Sequence, residues 1–108
     1  MSHPTSPQAL HFADSQALAQ FGEFGPQPQF LLDSQRLKVL VAGLTPGQEI
    51  PPHAESLAMY HILTGTGTMT VNGDQLAVGP GSTVIVLDGA TRGLRADTQL
   101  IFLAAKVG

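Results

Sequence analysis

From Phe30 onward the chain is cut at short intervals by turn-forming groups: Asp33-Ser34, Thr45-Pro46-Gly47, Asn72-Gly73 and Gly79-Pro80-Gly81. The apolar stretches around and between them are short and separated by turn chemistry, the pattern of strands. The spacing predicts strands over 29–33, 36–44, 48–53, 57–64, 67–72, 75–78, 82–87, 91–95 and 98–106. Asn72-Gly73 is the clearest hairpin signal, because both central positions of its turn want positive φ. Many short strands without a long helix define an all-β sandwich or barrel.

The first 28 residues read differently. Residues 1–8 carry three Ser/Thr and two Pro without periodicity and are expected to be disordered. Asp14-Ser15 before Gln16-Ala17-Leu18-Ala19-Gln20 resembles a capped short helix ended by Phe21-Gly22, and 22–29, with two Gly and two Pro, an extended connector. The expected organisation is therefore an N-terminal segment over 1–28 and a barrel over 29–108. Phe12, Phe21, Phe24 and Phe30 put four of the six aromatic residues in the first thirty positions. That is too much aromatic surface to leave in water, so the segment is expected to cover something, and a homodimer formed through it is the expected assembly.

Charge excludes some partners. The net charge is −3, and the five basic residues offer only Arg36/Lys38 and Arg92/Arg95 as near neighbours, too few for a phosphate-neutralising stripe; nucleic acid is not an expected partner. Only 12% of residues are charged, which argues against disorder and against a charge-rich coiled coil. No apolar run reaches the ~20 residues of a membrane span, and the start, Met1 to Pro7, lacks the basic and apolar regions of a secretory signal. No membrane partner and a cytoplasmic location are the expectations. Without cysteine there is no disulfide or thiolate metal site.

Two glycine-anchored stretches carry a family resemblance. Gly47 to Gly67, containing His53, Glu55, Tyr60 and Gly65, resembles the first motif of the cupin superfamily, G-x5-H-x-H-x3,4-E-x6-G; Gly81 to Ala96, with Gly89 in register, resembles the second, G-x5-P-x-G-x2-H-x3-N. The resemblance covers about residues 36–106 and implies a double-stranded β-helix, or jelly-roll, barrel. In that family three His and one Glu usually hold a metal in the barrel mouth. Here His53 keeps the first ligand position and Glu55 stands at the second. The glutamate position falls on Ala58 or Tyr60, and the second-motif histidine is Arg92, a permanent cation that repels a metal. No cofactor is expected; His53 with Glu55 is the residual ligand pair through which a metal would be held weakly.

The expected ligand pocket is His53, Glu55, Tyr60 and Arg92, no catalytic residue being assigned. His53 reads as a titrating pocket group or as an inert histidine at a strand entry, and Glu55 as a pocket acid or an exposed strand residue. Tyr60 supplies a phenol to a ligand or is structural, while Arg92 anchors a carboxylate or phosphate or neutralises Glu55 across the mouth. Strand alternation puts His61 on the opposite face, and Met59 and Met69 are expected in the core. Three functions fit: a metal-free barrel binding a small polar or anionic metabolite, which is preferred; a cupin enzyme of isomerase, dioxygenase or decarboxylase type using His53 with or without a weakly held metal; or an assembly or regulatory domain with a vestigial pocket.

Overall fold

A computed structural model describes residues 8–108. Its elements are a 3₁₀ turn at Ser15–Leu18 followed by eleven strands: β1 (Gln20–Phe21), β2 (Pro26–Gln27), β3 (Gln29–Asp33), β4 (Leu37–Leu44), β5 (Glu49–Ala54), β6 (Ala58–Thr64), β7 (Gly67–Val71), β8 (Asp74–Val78), β9 (Thr83–Val86), β10 (Thr91–Ala96) and β11 (Leu100–Val107). The nine strands read from the sequence are all present. The all-β jelly-roll expectation holds: a four-stranded sheet, β5-β10-β7-β8, faces a five-stranded sheet, β3-β4-β11-β6-β9, and every pair is antiparallel.

The N-terminal segment needs correction. The short helix is only a 3₁₀ turn, with Asp14 as its cap accepting from the Ala17 N–H. Residues expected to close the helix and open the connector instead pair with one another, Gln20 with Gln27 and Phe21 with Pro26. Two contacts hold this hairpin on the barrel. The Gln48 side-chain amide donates to the carbonyls of Gly22 and Glu23, and Phe21 lies on Gly43, where an added Cβ would stand 2.4 Å from the ring. Glycine at 43 is therefore what lets the ring approach the sheet. The expectation of disorder over residues 1–8 falls, apart from Gln8, outside the described residues.

The core follows from alternation. Leu40, Ala42 and Leu44 on β4, Ala58, Tyr60 and Ile62 on β6, and Leu100, Phe102 and Ala104 on β11 project inward and meet Met69, Val78, Leu94 and Ala96 from the other sheet. Met69 is core as expected; Met59, at the opposite parity on β6, is only half-buried. The inward row of β10 is Arg92, Leu94 and Ala96, which places a guanidinium among apolar side chains.

One irregularity shapes the barrel mouth. Between β10 and β5 the register runs from Arg92 opposite His53 to Leu94 opposite Ile50, so β5 carries one extra residue there. Pro51 and Pro52 have no N–H to give the ladder, and β5 is an edge strand, where prolines are tolerated. Gly93 faces the bulge: a Cβ there would come 2.8 Å from the Ile50 carbonyl oxygen. Arg92 and His53 remain paired neighbours on its far side.

Candidate functional site

The mouth is built where β5, β6, β10 and β11 converge. A cleft of about 230 Å³ is walled by Leu40, Ala42, Ile50, Tyr60 and Phe102 from the barrel interior, by His53 and Lys106 at the rim, and by Pro26 and Pro28 of the N-terminal segment. Behind it lies a hollow of about 10 Å³ bordered by Ile50, His53, Tyr60, Met69, Arg92, Gly93 and Leu94. That is about the space one water molecule needs. The two hollows share Ile50, His53 and Tyr60 as walls. A larger hollow of about 500 Å³ lies at Glu23–Gln27, but a single turn walls it and no second element converges there.

Arg92 is the most unusual side chain in the molecule. It is 1% exposed, and its Nη2 donates to the main-chain oxygens of Ser56 at 2.8 Å and Ala90 at 3.4 Å. Its Nε and Nη1 find no acceptor among the described residues. Every guanidinium nitrogen is a donor that cannot be deprotonated, so this is a buried positive charge with part of its hydrogen bonding left over.

Glu55, expected to pair with Arg92, pairs elsewhere. Lys106 Nζ stands 3.1 Å from both carboxylate oxygens, and His53 Nε2 stands 2.6 Å from Oε2. Burial works to raise the Glu55 pKa, but the hydrogen bonds and charges of Lys106 and His53 outweigh it and hold the carboxyl below its ordinary value of 4.5. Glu55 borders neither hollow itself; it reaches the cleft through Lys106 and His53.

His53 is fully engaged. Its Nδ1 lies 2.9 Å from the Pro51 carbonyl oxygen and its Nε2 meets Glu55, so both partners are acceptors. The ring makes both bonds only with a proton on each nitrogen, and a neutral ring keeps one of them. Tyr60 contributes a ring tilted against Phe102 at 5.8 Å and lines both hollows. His61 lies on the outer face as expected, its Nδ1 2.7 Å from the Thr83 hydroxyl across the β6–β9 pair.

The donor set does not fit a family-type metal centre. Among the described residues no three His, Cys, Asp or Glu side chains gather as a ligand group. The residual pair is already spent, His53 Nε2 on Glu55 and Glu55 on Lys106, and Arg92 brings a cation where the family has a third imidazole.

Sequence reading missed Lys106, Phe102 and the Pro26/Pro28 wall. Lys106 was within reach: counted by twos from Leu100, it continues the inward row Phe102, Ala104. The proline wall was not, because it depends on where the hairpin docks.

Comparison with known proteins agrees with this architecture. Residues 40–105, more than half of the chain, match the Cupin domain family, and the chain belongs to that family. A conserved protein of unknown function from Streptococcus pyogenes, SPY1581, is similar at 25% identity and TM-score 0.81, over 99% of this chain and 95% of that one. A Klebsiella pneumoniae protein with a double-stranded β-helix domain superposes at TM-score 0.81 and 19% identity, over 93% of this chain and 90% of its own. Salicylate 1,2-dioxygenase from Pseudoaminobacter salicylatoxidans, in a structure with gentisate, matches 77% of this chain and 25% of its own at 16% identity and TM-score 0.71. That likeness is one of fold. No curated protein matches the chain. Among the described residues no helix is long and apolar enough to cross a membrane.

Proposed function

We propose that this chain is a small-molecule-binding cupin that works without a metal and takes a small polar or anionic metabolite at the barrel mouth. The observation that carries the reading is the cleft of about 230 Å³, apolar over most of its wall, with His53, Tyr60 and Lys106 on it and the Arg92 guanidinium behind it. Apolar walls with a few convergent polar groups are the usual make-up of a ligand site. Its volume is below the ~300–1,000 Å³ of drug-sized sites, so the ligand is small.

The enzyme reading in which His53 acts as a general base has less support. Such a base needs a nitrogen turned toward the substrate, whereas both His53 nitrogens are committed to protein acceptors. The metal-dependent form lacks ligands, as described above.

A thermal-shift screen of small acids, alcohols, amides and sugars tests the reading, since a ligand that binds only the folded state raises the unfolding temperature. Several hits are expected in the wild type, and Ala42→Leu, which fills the cleft from β4, should abolish them. A screen without hits, or hits untouched by Ala42→Leu, would show that the barrel mouth is vestigial.

A further inference from the structure

We infer that the ligand is a monocarboxylate with a compact apolar body, one carboxylate oxygen seated against Arg92 and the body filling the cleft. The inference rests on the small-molecule reading above and goes further by assigning the charge, the anchoring residue and the size of the ligand.

The charge follows from the mouth itself. Glu55 is balanced by Lys106 at 3.1 Å, so these two contribute nothing net. No carboxylate among the described residues lies within ion-pair distance of Arg92, so the guanidinium charge is left without a counter-charge. A single negative charge completes the site. A second would meet Glu55 without a free cation to answer it.

The anchor follows from hydrogen bonding. Arg92 Nε and Nη1 are buried donors without acceptors among the described residues, and Arg92 borders a hollow of about 10 Å³, about one oxygen in size. A carboxylate supplies an acceptor of the right charge there, and charge-assisted bonds of this kind are roughly twice as strong as neutral ones. Hydroxyl or amide oxygens fit the space but leave the charge unanswered.

The body follows from volume and lining. An apolar cavity of about 150 Å³ holds a benzene molecule, and the cleft measures about 230 Å³, room for a benzene-sized group plus the carbon that joins it to the carboxylate. Leu40, Ala42, Ile50 and Phe102 offer that group apolar contact and no hydrogen bonds. A sugar ring there would strand its hydroxyls, a heavy penalty for buried polar groups.

Calorimetric titration of the full chain with benzoate, cyclohexanecarboxylate and 3-methylbutanoate, each against its primary amide, tests the inference. Saturable binding of at least one acid is expected, with its amide weaker by about tenfold or more. Arg92→Met should reduce the acid to the level of its amide. Should that variant fail to fold, the Arg92 Nε–H resonance of the wild type gives the same answer, moving with the acid and staying with the amide. Amides that bind as well as acids, an acid preference that survives Arg92→Met, or an Nε–H signal indifferent to the acid would overturn the inference while leaving the small-molecule reading standing. If none of the three acids binds, the inference falls; the thermal-shift screen then decides separately whether the broader reading falls with it.

Discussion

Glu55 takes its cation from Lys106 on the last strand and not from Arg92, the residue that charge and motif position pointed to. The reason is where the side chains run. Arg92 projects into the barrel and spends Nη2 on the Ser56 and Ala90 carbonyls, while Glu55, just past the end of β5, meets Lys106 at the rim. At 27% and 26% exposure this pair is partly hydrated, so its worth is that of a surface pair rather than a buried one. A double-mutant cycle with Glu55→Gln and Lys106→Met should return a coupling of about 0.5–1 kcal/mol. The matching cycle with Arg92→Met should be additive to within about 0.5 kcal/mol. The reverse ranking would restore the Glu55–Arg92 pair.

Acid should weaken the fold through the same carboxylate. The Glu55 pKa is depressed in the folded state, so its contribution is fully present above the unfolded value, near 4.5, and disappears as pH falls through the lower folded value. Urea midpoints measured on a descending pH series should drop more steeply below that point in wild type than in Glu55→Gln. Parallel curves would mean that Lys106 and His53 do not hold the carboxylate.

The barrel was legible in the sequence because turn chemistry is local. Asn72, at φ 49, and Gly73, at φ 86, adopt the backbone that the dipeptide calls for, and the strands on either side follow. The mouth was only half legible. Position parity places Arg92 in line with Leu94 and Ala96, but whether a guanidinium finds a carboxylate depends on side-chain reach, which no spacing encodes. The hairpin over 20–27 was hidden for a different reason: its two-residue strands have no periodicity, and their docking rests on Gln48 and Gly43, far along the chain.

Self-association is the expected use of the apolar surface that this hairpin leaves uncovered. Phe21 is partly spent on Gly43, but Phe24 is 96% exposed and Phe30 half-exposed on the edge strand β3. Light scattering at micromolar concentration should give about twice 11.3 kDa, and Phe24→Ser should shift the mass toward that of one chain. A wild-type monomer under those conditions would remove the dimer.

Transition metal should be held substoichiometrically. His53 and Glu55 are engaged with each other and with Lys106, and Arg92 adds a fixed cation behind them. Elemental analysis after equilibration with zinc, manganese or ferrous iron and dialysis against chelator should find well under one ion per chain. One retained ion per chain, lost in His53→Ala, would mean that the ion-pair cluster rearranges to admit a metal.

Arg92 should stabilise a complex at the expense of the free protein. Its buried Nε and Nη1 lack protein acceptors, and a donor left in that condition typically costs about 1–3 kcal/mol. Methionine replaces most of the stem, gives an apolar side chain to the hollow that Leu94 and Met69 also border, and removes both the charge and the orphaned donors. The Ser56 and Ala90 carbonyls lose a donor, which offsets part of the gain. Arg92→Met should therefore unfold at the same or a higher urea concentration than wild type, by up to about 1–2 kcal/mol without ligand. Arg92→Ala, which adds a cavity to the same charge removal, should be less stable than Arg92→Met. A gain in stability joined to a loss of acid binding is the pattern of a residue retained for its ligand. If Arg92→Met instead unfolds several kcal/mol more easily, the guanidinium is a structural tie to the Ser56 and Ala90 carbonyls and is retained for the fold rather than for a ligand.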